Sequence, residues 1–100
     1  MNMQALMQQA QKMQKEMERQ QKELEAKEFE ITSAGGGIKV VISGAKEIKS
    51  IDIDKDIIDP DDKDMLQDMI VVAINEAINL VINEEQKILA QQQASMRLPF

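Results

Sequence analysis

The sequence predicts an α+β fold in which a three-stranded antiparallel sheet lies between two long helices, in the order α-β-β-β-α. Three observations carry this prediction. The hydrophobic period changes from heptad spacing to strict alternation at Glu28, glycines punctuate the chain at residues 35–37 and 44, and a proline-led helical pattern opens at Asp59 and Pro60. One hundred residues, 43% hydrophobic and 30% charged, suffice for a single domain.

The first element is read as a helical arm over residues 1–27. Met3, Leu6, Ala10, Met13, Met17, Gln20 and Leu24 recur at spacings of three and four, which is a coiled-coil-like seam. Glu18 with Lys22 and Glu23 with Lys27 place acid four residues before base, the favourable orientation for exposed helix pairs. The middle element, residues 28–54, is read as a meander. Phe29 and Ile31 alternate with polar residues in its first strand, Gly35–Gly37 make a turn, and Ile38, Val40 and Ile42 form the apolar side of the second strand. Gly44, Ala45 and Lys46 make the next turn, and Ile48, Ile51 and Ile53 mark the third strand. The odd step from Ile48 to Ile51 requires either a bulge near Lys49 and Ser50 or an Ile48 that packs on the opposite face.

The second helix is read over residues 60–93, with Asp59 as N-cap, Pro60 at the first helical position and Asp61, Asp62 and Asp64 at the positive end of the helix dipole. From Met65 to Ile82 the pattern is apolar over most of the helix circumference, beside a narrow polar stripe of Asp64, Asp68, Asn75, Asn79 and Asn83. One sheet cannot cover so much apolar circumference, so Met69, Ile70, Val72, Ala73, Ile74, Ala77, Ile78 and Val81 are expected to need both the sheet and a second subunit. That expectation is a homodimer. Residues 94–100 read as a flexible tail.

Composition excludes several function classes. There is no cysteine and no histidine, so disulfides, thiolate nucleophiles, zinc clusters and the usual general base are absent. Ser33, Ser43, Ser50 and Ser95 have no partner to activate them, and no enzyme is expected. Two aromatics are too few for base stacking to dominate nucleic-acid contact. Asp52, Asp54 and Asp56 open like a calcium loop, but Ile57 stands where its glycine should be and Lys63 where its bidentate glutamate should be. The glycine triplet has no Gly-Lys-Ser/Thr behind it. No metal, cofactor or small-molecule substrate is therefore expected. The most apolar run, Met69 to Ile82, is interrupted by Asn75, Glu76 and Asn79 and is shorter than the ~20 residues a span needs, so a cytoplasmic protein without a membrane partner is expected.

Charge placement is the informative feature. The net charge is −6, yet residues 1–15 hold Lys12 and Lys15 with no acid, and residues 86–100 hold Lys87 and Arg97 with no acid. If the two helices run alongside each other their free ends share one tip. Lys12, Lys15, Lys87 and Arg97 would then meet there with the amides of Gln4, Gln8 and Gln11, groups suited to phosphate oxygens and base edges.

The run LMQQAQKMQKEM (Leu6 to Met17), the hairpin GGGIKVVISGAKEIKSIDID (Gly35 to Asp54) and the segment IDPDDKDMLQDMIVVAINEA (Ile58 to Ala77) together resemble the YbaB/EbfC family of bacterial nucleoid-associated proteins. The resemblance implies a tweezer-shaped homodimer that binds double-stranded DNA through projecting helix ends, at the nucleoid in the cytoplasm. The chain departs from the family at Gln8, Asn79 and Leu80, where basic residues are common. A reading from another class is an adaptor whose heptad arms bind a helical protein partner.

Overall fold

A computed structural model describes residues 2–96. The element order is helix, three strands, helix: α1 (Met3–Ala26), β1 (Glu28–Ser33), β2 (Ile38–Ser43), β3 (Ile48–Ile53) and α2 (Lys63–Met96). The Asn2 side chain opens α1 by accepting from the Gln4 N–H at 3.1 Å. Lys27 is extended and ends it. The strands follow the order β1-β2-β3, antiparallel throughout.

The register explains the core. Phe29, Ile31 and Ser33 pair across to Ile42, Val40 and Ile38, which in turn pair with Ile48, Ile51 and Ile53, so one face of the sheet is almost wholly apolar. Of the two options left open for Ile48, the bulge is the one adopted: Val41 pairs with Ser50 and Ile42 with Ile48, leaving Lys49 as the extra residue. The bulge keeps Ile48 on the apolar face despite the odd spacing.

α2 crosses β1 and β2 on that face, and Ala73, Ala77 and Val81 are completely buried against Ile38, Val40 and Ile42. The two alanines let helix and sheet backbones approach closely. β3 receives less cover, and Ile51 is left largely exposed.

Three sequence expectations are corrected here. α2 starts at Lys63 rather than at residue 60, because Asp59 spends its side chain on a tight turn, accepting from the Asp61 N–H at 2.9 Å, and Asp62 supplies the helix cap by accepting from the Met65 N–H at 3.2 Å. Pro60 therefore sits in the turn. The helix also continues to Met96, past the boundary set at residue 93 and into the segment read as tail; residues 97–100 lie outside the described residues. Finally, α2 is by length and composition apolar enough to cross a membrane, with an 18-residue window of mean hydropathy 1.6 inside Lys63–Ala94. The sequence reading counted only Met69 to Ile82, whereas the unbroken helix adds apolar residues at both ends.

The molecule is elongated, with principal extents of 72 × 24 × 17 Å. Its radius of gyration is 20.0 Å, against ~13 Å for a compact chain of this length. Its accessible surface is 7730 Å², well above the roughly 5,700 Å² expected of a compact chain of this mass. The projecting helices account for the excess.

Candidate functional site

α1 and the distal part of α2 form one antiparallel arm. Half-buried Met13, Met17 and Gln20 and fully buried Leu24 face inward on α1. Gln14, Met17, Glu18 and Gln21 line a shallow hollow together with Glu85, Ile88, Leu89 and Gln92 of α2 and Lys46 of the β2–β3 turn. Gln92 Nε2 donates to Gln20 Oε1 at 2.9 Å across the pair.

The root of the arm is held at the same turn. Ser43 Oγ accepts from the N–H groups of Ala45 and Glu47, both at 3.2 Å, while the Gly44 N–H donates to the Lys27 carbonyl at 2.9 Å. Lys46 Nζ lies 3.2 Å from Glu85 Oε1 of α2. Gly44 is indispensable to this packing, since a Cβ there would lie 1.7 Å from the Leu24 carbonyl oxygen. Sequence reasoning took Gly44 for an ordinary turn residue and passed over Lys46–Glu85 and Gln20–Gln92; nothing in a single sequence marks such long-range pairs.

Toward its N-terminus α1 outruns the described part of α2. From the level of Gln20, α2 adds only four residues to Met96 while α1 runs back to Met3, so at ~1.5 Å per residue roughly 20 Å of α1 extends past the described end of α2. Gln4, Gln8, Gln11, Lys12 and Lys15 all lie on this length and all are exposed. Met3, Leu6 and Met7, 73%, 45% and 59% exposed, share it.

The expected single basic tip divides. Lys87 lies roughly 14 Å short of Met96 along α2, near the root, and its Nζ is 3.2 Å from Glu84 Oε1. It is therefore not grouped with Lys12 and Lys15. Arg97 lies outside the described residues. Farther down α1, Arg19 is held by Glu16 and Glu23, with its Nε 3.1 Å from Glu16 Oε2 and its Nη1 2.6 Å from Glu23 Oε1. The Arg19 hydrogen bond holds the Glu16 carboxyl below the usual glutamate range, and Glu16 in turn raises Arg19. Lys39, Lys46 and Lys49 also pair with carboxylates, from Glu30, Glu85 and Glu47. Among the described residues Lys12 and Lys15 have no such partner.

The residues expected to need a second subunit also divide. Ala73, Ala77 and Val81 are consumed by the chain's own sheet, and Met69, Ile70 and Ile78 pack half-buried against the same core. Ile74 is half-buried and Val72 is 50% exposed; neighbouring Val71 is 58% exposed. The helix period puts Val71 on the side of α2 away from the sheet, beside Ile74 and Ile78, whereas Val72 lies on the other flank, in a hollow with Ser33, Ala34 and Met69.

The site is thus a long two-helix arm on an α+β body, with no acid on α1 before Glu16. The profile of the YbaB/EbfC DNA-binding family matches residues 1–96, and the chain belongs to that family. Among its relatives is a protein named nucleoid-associated protein from Ruminiclostridium cellulolyticum, 54% identical over 77% of this chain and 67% of the relative. Another of the same name from Alkaliphilus metalliredigens is 44% identical over 98% of this chain and 86% of that one. A crystal structure of an uncharacterized Helicobacter pylori protein shares the fold, with a TM-score of 0.72 at 24% identity, covering 94% of this chain and 98% of the other.

Proposed function

We propose that this protein is a nucleoid-associated homodimer that binds double-stranded DNA through the distal part of α1 and acts architecturally, without catalysis. One observation carries the reading. Over the distal arm Lys12 and Lys15 are exposed, free of carboxylate partners among the described residues, and no acid precedes Glu16. The acidic body, with eighteen acids against eight basic residues over positions 16–85, repels a polyanion and leaves the arm as the favourable approach. Phosphate neutralisation by these lysines is sequence-independent and suits an architectural role. The nucleoid within a bacterial cytoplasm is the matching location.

The dimer is supported by α2. Val71 leaves apolar surface on the side away from the sheet, flanked by Ile74 and Ile78, and the body left after subtracting the arm is small enough to be marginal alone. Two copies would present two arms, as tweezers do. Binding to duplex DNA over a series of salt concentrations tests the reading. Lys12, Lys15 and Arg97 from both copies give at most six phosphate contacts, so affinity should fall with a log–log slope no steeper than about −5.

The second reading, an adaptor for a helical protein, is favoured by the exposed distal seam of Met3, Leu6 and Met7. It predicts no binding to DNA and a complex that tolerates salt.

A further inference from the structure

On the distal arm the direction of each side chain follows from the positions that meet α2. Met17, Gln20 and Leu24 define the inner side of α1, and the 3.6-residue period then puts Gln4, Gln8, Gln11 and Lys15 on the opposite side. Their steps of four, three and four residues make a straight stripe, with Lys12 beside it. All five side chains are exposed.

Two features leave these amides available to a ligand. Gln20, Gln21 and Gln92 are engaged with Glu16, Glu25 and Gln20. The side chains of Gln4, Gln8 and Gln11 make no hydrogen bond among the described residues, so each presents an uncommitted donor and an uncommitted acceptor. The stripe also contains no carboxylate to repel a duplex. A face serving only to attract phosphate would gain more from lysine or arginine, which carry charge, than from neutral amides.

Resting on the proposed DNA-binding role of the arm, we infer that the Gln4–Gln8–Gln11 stripe is a major-groove reading surface selective for adenine. An α-helix about 10–12 Å across fits the ~12 Å major groove and not the ~6 Å minor groove. A glutamine amide matches adenine there, with its NH2 donating to N7 and its carbonyl accepting from the N6 amino group. Along the axis Gln4 and Gln8 are ~6 Å apart and Gln8 and Gln11 ~4.5 Å, one to two base steps of ~3.4 Å each. Lys12 and Lys15 stand at the proximal end of the stripe, where the groove wall brings phosphates. The amides choose the site and the lysines hold it.

The experiment measures binding of the full chain to a short alternating A·T duplex and to the same duplex built with 7-deazaadenine, which lacks only the N7 acceptor in the major groove. The expected result is binding at least about fivefold weaker to the 7-deaza duplex, the discrimination from one lost bidentate pair at the low end of its range. A variant carrying Gln4→Ala, Gln8→Ala and Gln11→Ala should bind the ordinary duplex more weakly and lose the discrimination, whereas Lys12→Gln should weaken both duplexes by the same factor. Equal binding of the parent protein to both duplexes overturns adenine reading while leaving the arm as a phosphate-binding element. Failure of the parent to bind either duplex overturns the DNA-binding role itself, and the inference with it.

Discussion

Replacing Gly44 with alanine should detach the arm from the body. The added Cβ would stand 1.7 Å from the Leu24 carbonyl oxygen and 2.5 Å from its carbonyl carbon, both backbone atoms that cannot turn aside. Relief requires the end of α1 to retreat by roughly 1.5–2 Å before ordinary van der Waals separation is reached. That displacement breaks the Gly44 N–H bond to the Lys27 carbonyl, worth about 1 kcal/mol, and lifts Leu24 from its 2% exposure, at about 1–2 kcal/mol for partial loss of burial. The total, about 2–3 kcal/mol, corresponds to a fall in Tm of roughly 8–24 °C. Circular dichroism melts at matched protomer concentration measure it. Gly36→Ala is the comparison: its Cβ meets nothing within 4 Å and its φ of +98° brings backbone strain alone, about 1–2 kcal/mol. A Gly44→Ala protein melting within a few degrees of the parent, or above Gly36→Ala, would refute the account of the root.

Ile42→Ala empties a completely buried position between sheet and α2 and should cost about 2–5 kcal/mol, read as a lowered denaturant midpoint at unchanged slope; a loss below 1 kcal/mol would mean the core lies elsewhere. Val71→Asp places a charge on the proposed subunit face of α2, and sedimentation equilibrium should show dimer dissociation strengthened at least about tenfold, or about 1.4 kcal/mol, without loss of helix. The depressed Glu16 carboxyl stabilises the arm above the ordinary glutamate pKa, and that contribution is lost as pH falls through the folded value. Acidification below the usual glutamate range should therefore reduce α1 helicity in the parent, and Glu16→Gln should remove that part of the pH dependence; identical titrations would show the pair to be without effect.

The fold was legible because its signals are periodic. Heptad spacing in α1 and alternation in the strands are local consequences of side-chain direction, and the step from Ile48 to Ile51 marked an irregularity that only the pairing with β2 resolves as a bulge. The start of α2 was misplaced because Asp59-Pro60 and Asp62 offer competing caps, and the choice depends on how the turn after β3 leaves the sheet. The candidate site was partly legible. Exposure and charge at Lys12 and Lys15 follow from an acid-free helix end, but the separation of Lys87 depends on how far α2 runs beside α1, which composition does not encode. Ala77 illustrates the remaining limit: its apolar character marks burial without saying whether the chain's own sheet or a second subunit provides the cover.

The central claim is that the free lysines of the distal arm make the phosphate contacts, and the salt dependence of DNA affinity in Lys12→Gln/Lys15→Gln against Lys22→Gln tests it most directly. Lys22 lies closer to the root among Glu18, Glu23 and Glu25, where the local field opposes a phosphate. With two copies per dimer, the double substitution should flatten the log–log slope by up to about 3.6, while Lys22→Gln should leave it within about 1 of the parent. A slope reduced as much by Lys22→Gln as by the double substitution would contradict the account and move the contact to the flank of the arm.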